Sequence, residues 1–219
     1  MSLILNIETS TKNCSVSIAN NGICLTYVEE CSKKYSHSEK LHTFIQYAIN
    51  ISGIHFQDLN SICVSKGPGS YTSLRIGASA ARGLCYALDI PLLSIDTLTV
   101  MSYEINIKKG FLIPMIHVKS NLFYTSLFNE SKERLSPIRI KKLDDDFFKS
   151  FPIDEKIYFI IIGDIPIIDN KFFFSILSKI SKNRCLYKTP SAMNMALISY
   201  KEFCKKKFYD IEKFIPFYL

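Results

Sequence analysis

No uninterrupted apolar run in these 219 residues reaches the roughly 18 to 20 that a bilayer-spanning helix needs, so a membrane span is not expected. The opening Met-Ser-Leu-Ile-Leu-Asn-Ile-Glu lacks the basic stretch and apolar core of an export signal, which predicts a cytoplasmic protein. The seven cysteines, at 14, 24, 31, 63, 85, 185 and 204, are odd in number and include no Cys-x-x-Cys pair. That pattern argues against a disulfide framework and a zinc ribbon, and for a reducing compartment. The four histidines never fall in a His-Glu-x-x-His pattern, and no nucleophile, base and acid set stands out. Net charge is also missing from the first hundred residues, where 7 Lys and Arg balance 7 Asp and Glu; the whole +7 lies in residues 101–219.

What is present is ample core material. Hydrophobic residues make up 47% of the chain, enough for one large domain or two small ones. The most constraining segment runs Lys-Gly-Pro-Gly-Ser-Tyr-Thr-Ser-Leu-Arg-Ile-Gly from Lys66 to Gly77. Gly67 and Gly69 around Pro68 predict a tight turn, and Ser70 or Thr72 can cap a helix running to Leu88. Free N–H groups at such a helix start suit an anion. Yet Lys66 precedes the glycines, no Gly-Lys-Ser/Thr triplet follows them, and no dinucleotide fingerprint is matched, so a plain strand-to-helix turn competes with an anion site.

In the predicted helix, Gly77, Ala78, Ser79, Ala80, Ala81 and Gly83 leave little side-chain bulk, so a neighbouring helix or sheet can approach its backbone. Leu74, Ala78, Ala81, Cys85 and Leu88 form one apolar stripe, while Arg75, Ser79, Arg82 and Tyr86 share another face suited to a partner or to solvent. Earlier in the chain, short strands are predicted at Leu3–Ile7, around Cys14, Val16 and Ile18, and at Cys24–Val28, the last two joined by an Asn21-Gly22 hairpin turn. A helix over His37–Ile51, a strand over Ile62–Val64 and another over Pro91–Ile95 complete a ribonuclease-H-like order, with a first domain over 1–105.

Residues 106–219 form the expected second α/β domain, which carries the basic excess. Its predicted strands are Leu112–Ile116, Leu122–Phe128, Leu135–Ile140 and Ile157–Ile162, followed by Gly163-Asp164 and helices over Phe172–Ile180 and Met193–Phe203. Lys201, Lys205, Lys206 and Lys207, interleaved with Phe203, Phe208 and Tyr209, could meet a phosphate backbone or simply suit a helix C-terminus.

Several of these pieces together resemble the bacterial TsaB family, also called YeaZ. They are Ile-Leu-Asn-Ile-Glu-Thr-Ser-Thr at 4–11, His37 at a helix start, the Gly67–Gly77 segment, Gly163-Asp164 and the terminal Pro216-Phe-Tyr-Leu. The resemblance spans the chain. It implies an α/β fold of the actin, sugar-kinase and Hsp70 type, with two ribonuclease-H-like subdomains. It further implies a non-catalytic accessory subunit that binds and activates the related catalytic subunit TsaD, with the ATPase TsaE, in threonylcarbamoylation of adenosine next to the anticodon of ANN-decoding tRNAs. TsaD relatives use a His-x-x-x-His pair to hold a metal; here His37 and His42 are five apart and His55 and His117 are isolated, so no metal site is expected.

The resemblance places partner contacts on His37, Leu41, Arg75, Ala78, Ser79, Arg82 and Tyr86, with a homodimer as a competing use of the same face. Glu8, Thr9, Ser10, Gly67 and Gly69 are the candidate anion or nucleotide loop; no intrinsic cofactor is expected, with ATP at the complex interface the one candidate. Glu8 stands where the family has an Asp-Thr-Ser loop, Ser73 where it has glycine, and His117-Val-Lys119 where it often has Asp-Ala-Arg. The longer carboxylate weakens the nucleotide reading. Two other classes compete: an independent ATP-dependent enzyme of this fold or a glycoprotease-like peptidase, with Glu8 and Asp164 as its acidic candidates, and a simple tRNA-binding module resting on the basic second half.

Overall fold

In the computed structural model the described residues are 2–32, 36–144, 147, 157–162 and 185–217, with 157–162 and 185 described as backbone. The expected Gly163-Asp164 turn, the helix over Phe172–Ile180 and the last two residues lie outside them.

Three antiparallel strands open the chain: β1 (Leu3–Glu8), β2 (Asn13–Asn20) and β3 (Ile23–Cys31). Asn21 and Gly22 make the β2–β3 turn at φ 50° and 84°, the paired positive values of a type I′ hairpin. Helix α1 (His37–Ser52) leads to β4 (Ser61–Ser65), and α2 (Tyr71–Leu88) leads from the glycine turn to β5 (Leu92–Ile95). Because β4 and β5 run parallel to β1, the sheet order is β3-β2-β1-β4-β5, the ribonuclease-H-like arrangement expected. A short helix α3 (Thr97–Ser102), begun by Asp96 accepting from the Thr99 N–H at 3.0 Å, was not foreseen.

Alternation along β1 sets the two faces of this sheet. Leu3, Leu5 and Ile7 join Val16, Ile18, Leu41, Ile45, Ala78, Ala81 and Cys85 in one core beneath α1 and α2. Each large aliphatic residue buried there contributes about 1.5–3 kcal/mol. Ile4, Asn6 and Glu8 point the other way, and all six residues of β1 are buried, as befits the central strand of a sheet covered on both faces.

What covers the second face corrects the expected domain boundary. The chain divides into one compact unit of residues 1–100 with 190–219 and another of residues 101–189, so the last thirty residues return to the first unit and do not extend a second domain to 219. Polar hydrogen bonds hold them there. Ser17 Oγ donates to the Ala192 carbonyl at 2.7 Å and the Ala192 N–H to Ser15 Oγ at 2.9 Å. The Glu29 carboxylate accepts from Ser15 Oγ at 2.9 Å and from Ser191 Oγ at 2.6 Å. A 3-10 turn over Ala192–Met195 then feeds α4 (Ala196–Cys204), which buries Ala196, Ile198 and Ser199.

In the second unit the sheet order is β11-β10-β6-β7-β9, formed by β6 (Phe111–Lys119), β7 (Leu122–Thr125), β9 (Arg139–Lys142), β10 (Ile157–Ile162) and β11 (Cys185–Tyr187), with β8 (Phe128–Asn129) pairing β6 separately. The expected strand Leu122–Phe128 splits in two because Ser136 enters the ladder: its Oγ accepts from the Leu127 N–H at 2.9 Å and its carbonyl accepts from Ser126 Oγ at 2.6 Å. Pro137, which has no N–H to give, interrupts the expected strand Leu135–Ile140, and regular pairing begins only at Arg139.

Candidate functional site

Helix α2 meets the glycine turn and the loop after β1 in a buried strut. The Ser70 N–H donates to the Ser10 carbonyl at 2.7 Å, Thr9 Oγ1 donates to the Ser73 carbonyl at 2.9 Å, and the Thr9 N–H donates to Ser65 Oγ at 3.3 Å. Close approach explains two glycines. A Cβ on Gly69 would fall 2.7 Å from Ser10 Cβ and 2.9 Å from the Ser10 carbonyl carbon, and a Cβ on Gly77 would overlap the Thr9 hydroxyl. Ser70 is the N-cap residue, but its side chain makes no cap bond; its Oγ instead accepts from Ser73 Oγ at 2.9 Å.

The five residues expected to form an anion loop are therefore brought together, but closed on one another. Glu8, Thr9 and Ser10 are at most 1% exposed, and Gly67 packs against the Phe217 backbone. Glu8 Oε1 accepts from the Ser10 N–H at 2.7 Å while Oε2 is buried without a partner. Burial pushes this carboxyl above its ordinary range, against the lowering effect of hydrogen bonds from Ser10 and Ser65. A nucleotide phosphate placed here would have to displace the Ser10 carbonyl from the Ser70 N–H beside a buried carboxyl. The residues present do not fit that group.

The open surface lies on the outer side of α1 and α2. A groove of about 660 Å³ runs between the two helices, lined by Ser38, His42, Tyr71, Arg75, Ser79 and Gly83 among others. Its floor is low because α2 carries Ser79, Ala80 and Gly83 there. The Arg75 guanidinium lies over the Tyr71 ring, 4.1 Å from its centroid, which fixes a flat cationic surface at one end. Tyr86 is 83% exposed, and on α1 Tyr47 and Ile51 are 53% and 68% exposed.

Of the seven residues expected at a partner face, Arg75, Ser79 and Tyr86 are on this surface. Arg82 is half-buried and donates from Nη2 to the Glu212 carbonyl at 3.2 Å, so it holds the C-terminal tail. His37, Leu41 and Ala78 are 1%, 0% and 5% exposed and belong to the interior. Leu41 and Ala78 sit on the apolar stripes of their helices, where helical spacing had already put Ala78, so placing them at a partner face ran against that spacing. Burial also holds His37 below the ordinary histidine range, opposed by backbone hydrogen bonds at Asn13 and Thr11. His42 is exposed, so the two histidines of α1 lie in different surroundings. Among the groove residues Tyr71 was missed as a partner contact; it lies four positions before Arg75 on the same helix face, and that spacing was the available signal.

The lysines near the C-terminus are largely matched by acids. Glu202 meets Lys205 at 3.4 Å and Lys207 at 3.0 Å, and Asp210 meets Lys213 at 3.5 Å. Among the described residues no group of three His, Cys, Asp or Glu side chains could hold a metal ion, and no helix is long and apolar enough to cross a membrane.

Comparison with known proteins places this geometry in a lineage. Residues 29–145, which include α1 and α2, match the family model described as TsaD, tRNA N6-adenosine threonylcarbamoyltransferase. The tRNA threonylcarbamoyladenosine biosynthesis protein TsaB of Buchnera aphidicola subsp. Acyrthosiphon pisum is 33% identical over 157 residues, covering 71% of this chain and 69% of that protein. The Escherichia coli protein of the same name is 33% identical over 99 residues, 45% of this chain and 42% of the other. The solved structure of YeaZ from Pseudomonas aeruginosa superposes over 100% of both chains with a TM-score of 0.78 at 19% identity, which shows a shared fold.

Proposed function

The chain belongs to the TsaB family, and on that premise we propose that it is an accessory subunit in tRNA threonylcarbamoyladenosine biosynthesis, one that binds and activates a TsaD-type transferase through the outer face of α1 and α2. In this reading the chain carries no catalytic residue of its own. A TsaE-type ATPase and tRNA join through the complex, and the modified base is the adenosine next to the anticodon of ANN-decoding tRNAs.

The observation that carries the proposal is the groove between α1 and α2, rimmed by Arg75 stacked on Tyr71. Exposed aromatic residues and an arginine around a low floor are the composition of an interface centre. The chain matches the transferase family over the segment that holds both helices, which supports a partner with an equivalent pair. Homologous surfaces pair naturally about a pseudo-two-fold axis, and the same geometry makes a second copy of this chain the competing occupant.

The test is analytical ultracentrifugation of the purified chain with its cognate TsaD-type subunit, each alone and mixed, with and without ATP. A heterodimer that is lost in Ser79→Trp and Gly83→Trp supports the reading. Association unchanged in both variants would remove this face, and a chain that ignores the transferase in every condition would overturn the accessory role.

A further inference from the structure

We infer that the β6–β7–β9 end of the second sheet is a binding face for the sugar-phosphate backbone of RNA, centred on Lys119 and Lys142. The inference deepens the tRNA reading above and rests on it. The first observation is where the charge sits. Residues 105–142 hold eight Lys and Arg against two Asp and Glu, whereas residues 1–100 are balanced at seven each. A chain merely rich in lysine would spread the imbalance; here it is concentrated in the strands and turns of one half-sheet.

Strand register then puts the cations side by side. Lys119 pairs with Leu122 and Leu122 with Lys142, so three adjacent strands present Lys, Leu and Lys in a row, about 10 Å across at the usual strand spacing. One step along, Tyr124 pairs with Ile140 on the same face, where Ile140 is 43% exposed. Arg139 and Lys141 lie on the opposite face of the same edge strand, beside buried Thr125 and Phe123. Burial and the neighbouring Arg139 charge hold Lys141 below its ordinary value, as crowded cations do. Lys142 has Asp144 at 3.9 Å, a loose pair.

Protection of an edge strand from aggregation also uses lysine. That explanation covers β9 but not Lys119, which lies at the end of an interior strand. Nor does this fold protect every edge in that way: β3, the edge of the first sheet, exposes Ile23, Leu25 and Tyr27. A row of long cations around an aromatic and an aliphatic side chain is what a phosphate backbone with partly unstacked bases needs.

The test is fluorescence anisotropy of a labelled tRNA with the full chain from 50 to 200 mM salt. The wild-type affinity should fall steeply with salt. Lys119→Ala/Lys142→Ala should weaken binding about tenfold or more and reduce the log–log salt slope by about 2, close to one unit for each lost phosphate contact, and Arg139→Ala on the opposite face should change the slope less than either single lysine variant. Lys201→Ala/Lys205→Ala should leave the slope unchanged. The single variant Lys119→Ala keeps the experiment readable should the double variant unfold early. An unchanged slope in the double variant overturns the inference, as does wild-type protein that ignores tRNA at 50 mM salt. Phosphatidylserine vesicles bound with the same dependence on these two lysines would also overturn it, in favour of a lipid surface. The partner reading fails separately: a chain that ignores the transferase yet binds tRNA through these residues supports the face and defeats the accessory role.

Discussion

Gly77→Ala is the sharpest probe of how the first unit is assembled, because two effects of known size act in opposite directions. Alanine in place of a mid-helix glycine gains about 1 kcal/mol from helix propensity. At Gly77, however, the new methyl would overlap the Thr9 hydroxyl and lie 3.3 Å from its Cγ2, in a site with no solvent access. Either α2 shifts off the sheet or the hydroxyl rotates away from the Ser73 carbonyl, its 2.9 Å partner. Overpacking costs about 1–3 kcal/mol and an orphaned buried hydroxyl about 1–3 more, so against the propensity gain the net change is a loss of about 1–5 kcal/mol. Gly83 lies on the same helix, and a Cβ there meets nothing within 4 Å. Gly83→Ala should therefore stabilise by about 0.5–1 kcal/mol. Urea unfolding followed by far-UV circular dichroism reads both. In a Thr9→Ala background the Gly77→Ala penalty should shrink by about 2 kcal/mol, since the colliding atoms are gone. A Gly77→Ala protein as stable as Gly83→Ala, or a full penalty that persists without the Thr9 side chain, would refute the strut as the reason for that glycine.

Three further outcomes follow from the same geometry. Ser79→Trp should lower affinity for a TsaD-type subunit at least tenfold, about 1.4 kcal/mol, with an unchanged unfolding midpoint, whereas Ala78→Trp should unfold the chain because Ala78 is interior. Glu8→Gln should stabilise the protein increasingly as pH rises above the ordinary 4.5. Over that range the unfolded chain ionises while burial keeps the folded carboxyl protonated, so wild type binds more protons when folded and loses stability with rising pH, and guanidinium titrations at pH 4 and 7 that show no such difference would exclude it. Burial pushes Cys14 and Cys85 up to about 12 and Cys63 well above 9.0, so in native protein these three should resist iodoacetamide for as long as the fold holds, while exposed Cys31 and Cys204 are modified before them; peptide mass mapping reads the order.

What the sequence revealed and what it concealed divide along one physical line, the distance over which a residue's reason acts. The hairpin at Asn21-Gly22, the helix after Ser70 and the strand over Ile157–Ile162 have local reasons, namely a turn needing positive φ, a run of helix formers and an apolar run, and all three formed where expected. The small residues of α2 were legible as a demand for close approach, but the neighbour that makes the demand at Gly77 is Thr9, 68 positions earlier, and nothing near Gly77 names it. The same holds for the last thirty residues. Their lysines read as a free basic surface until Glu202 and Asp210 pair with several of them and Ser191 reaches Glu29 across the whole chain. The basic row on β6, β7 and β9 stayed hidden for a different reason. Lys119 and Lys142 are 23 positions apart and fall into one row only because a bulge between His117 and Lys119 shifts the ladder. Deleting Val118 would straighten that bulge and still leave Lys119 directly opposite Leu122, on the face it now shares with Lys142. A folded deletion variant should therefore bind tRNA with the wild-type salt slope, whereas Lys119→Ala lowers it, and a deletion variant that loses as much as Lys119→Ala would show that the row is not what the RNA reads.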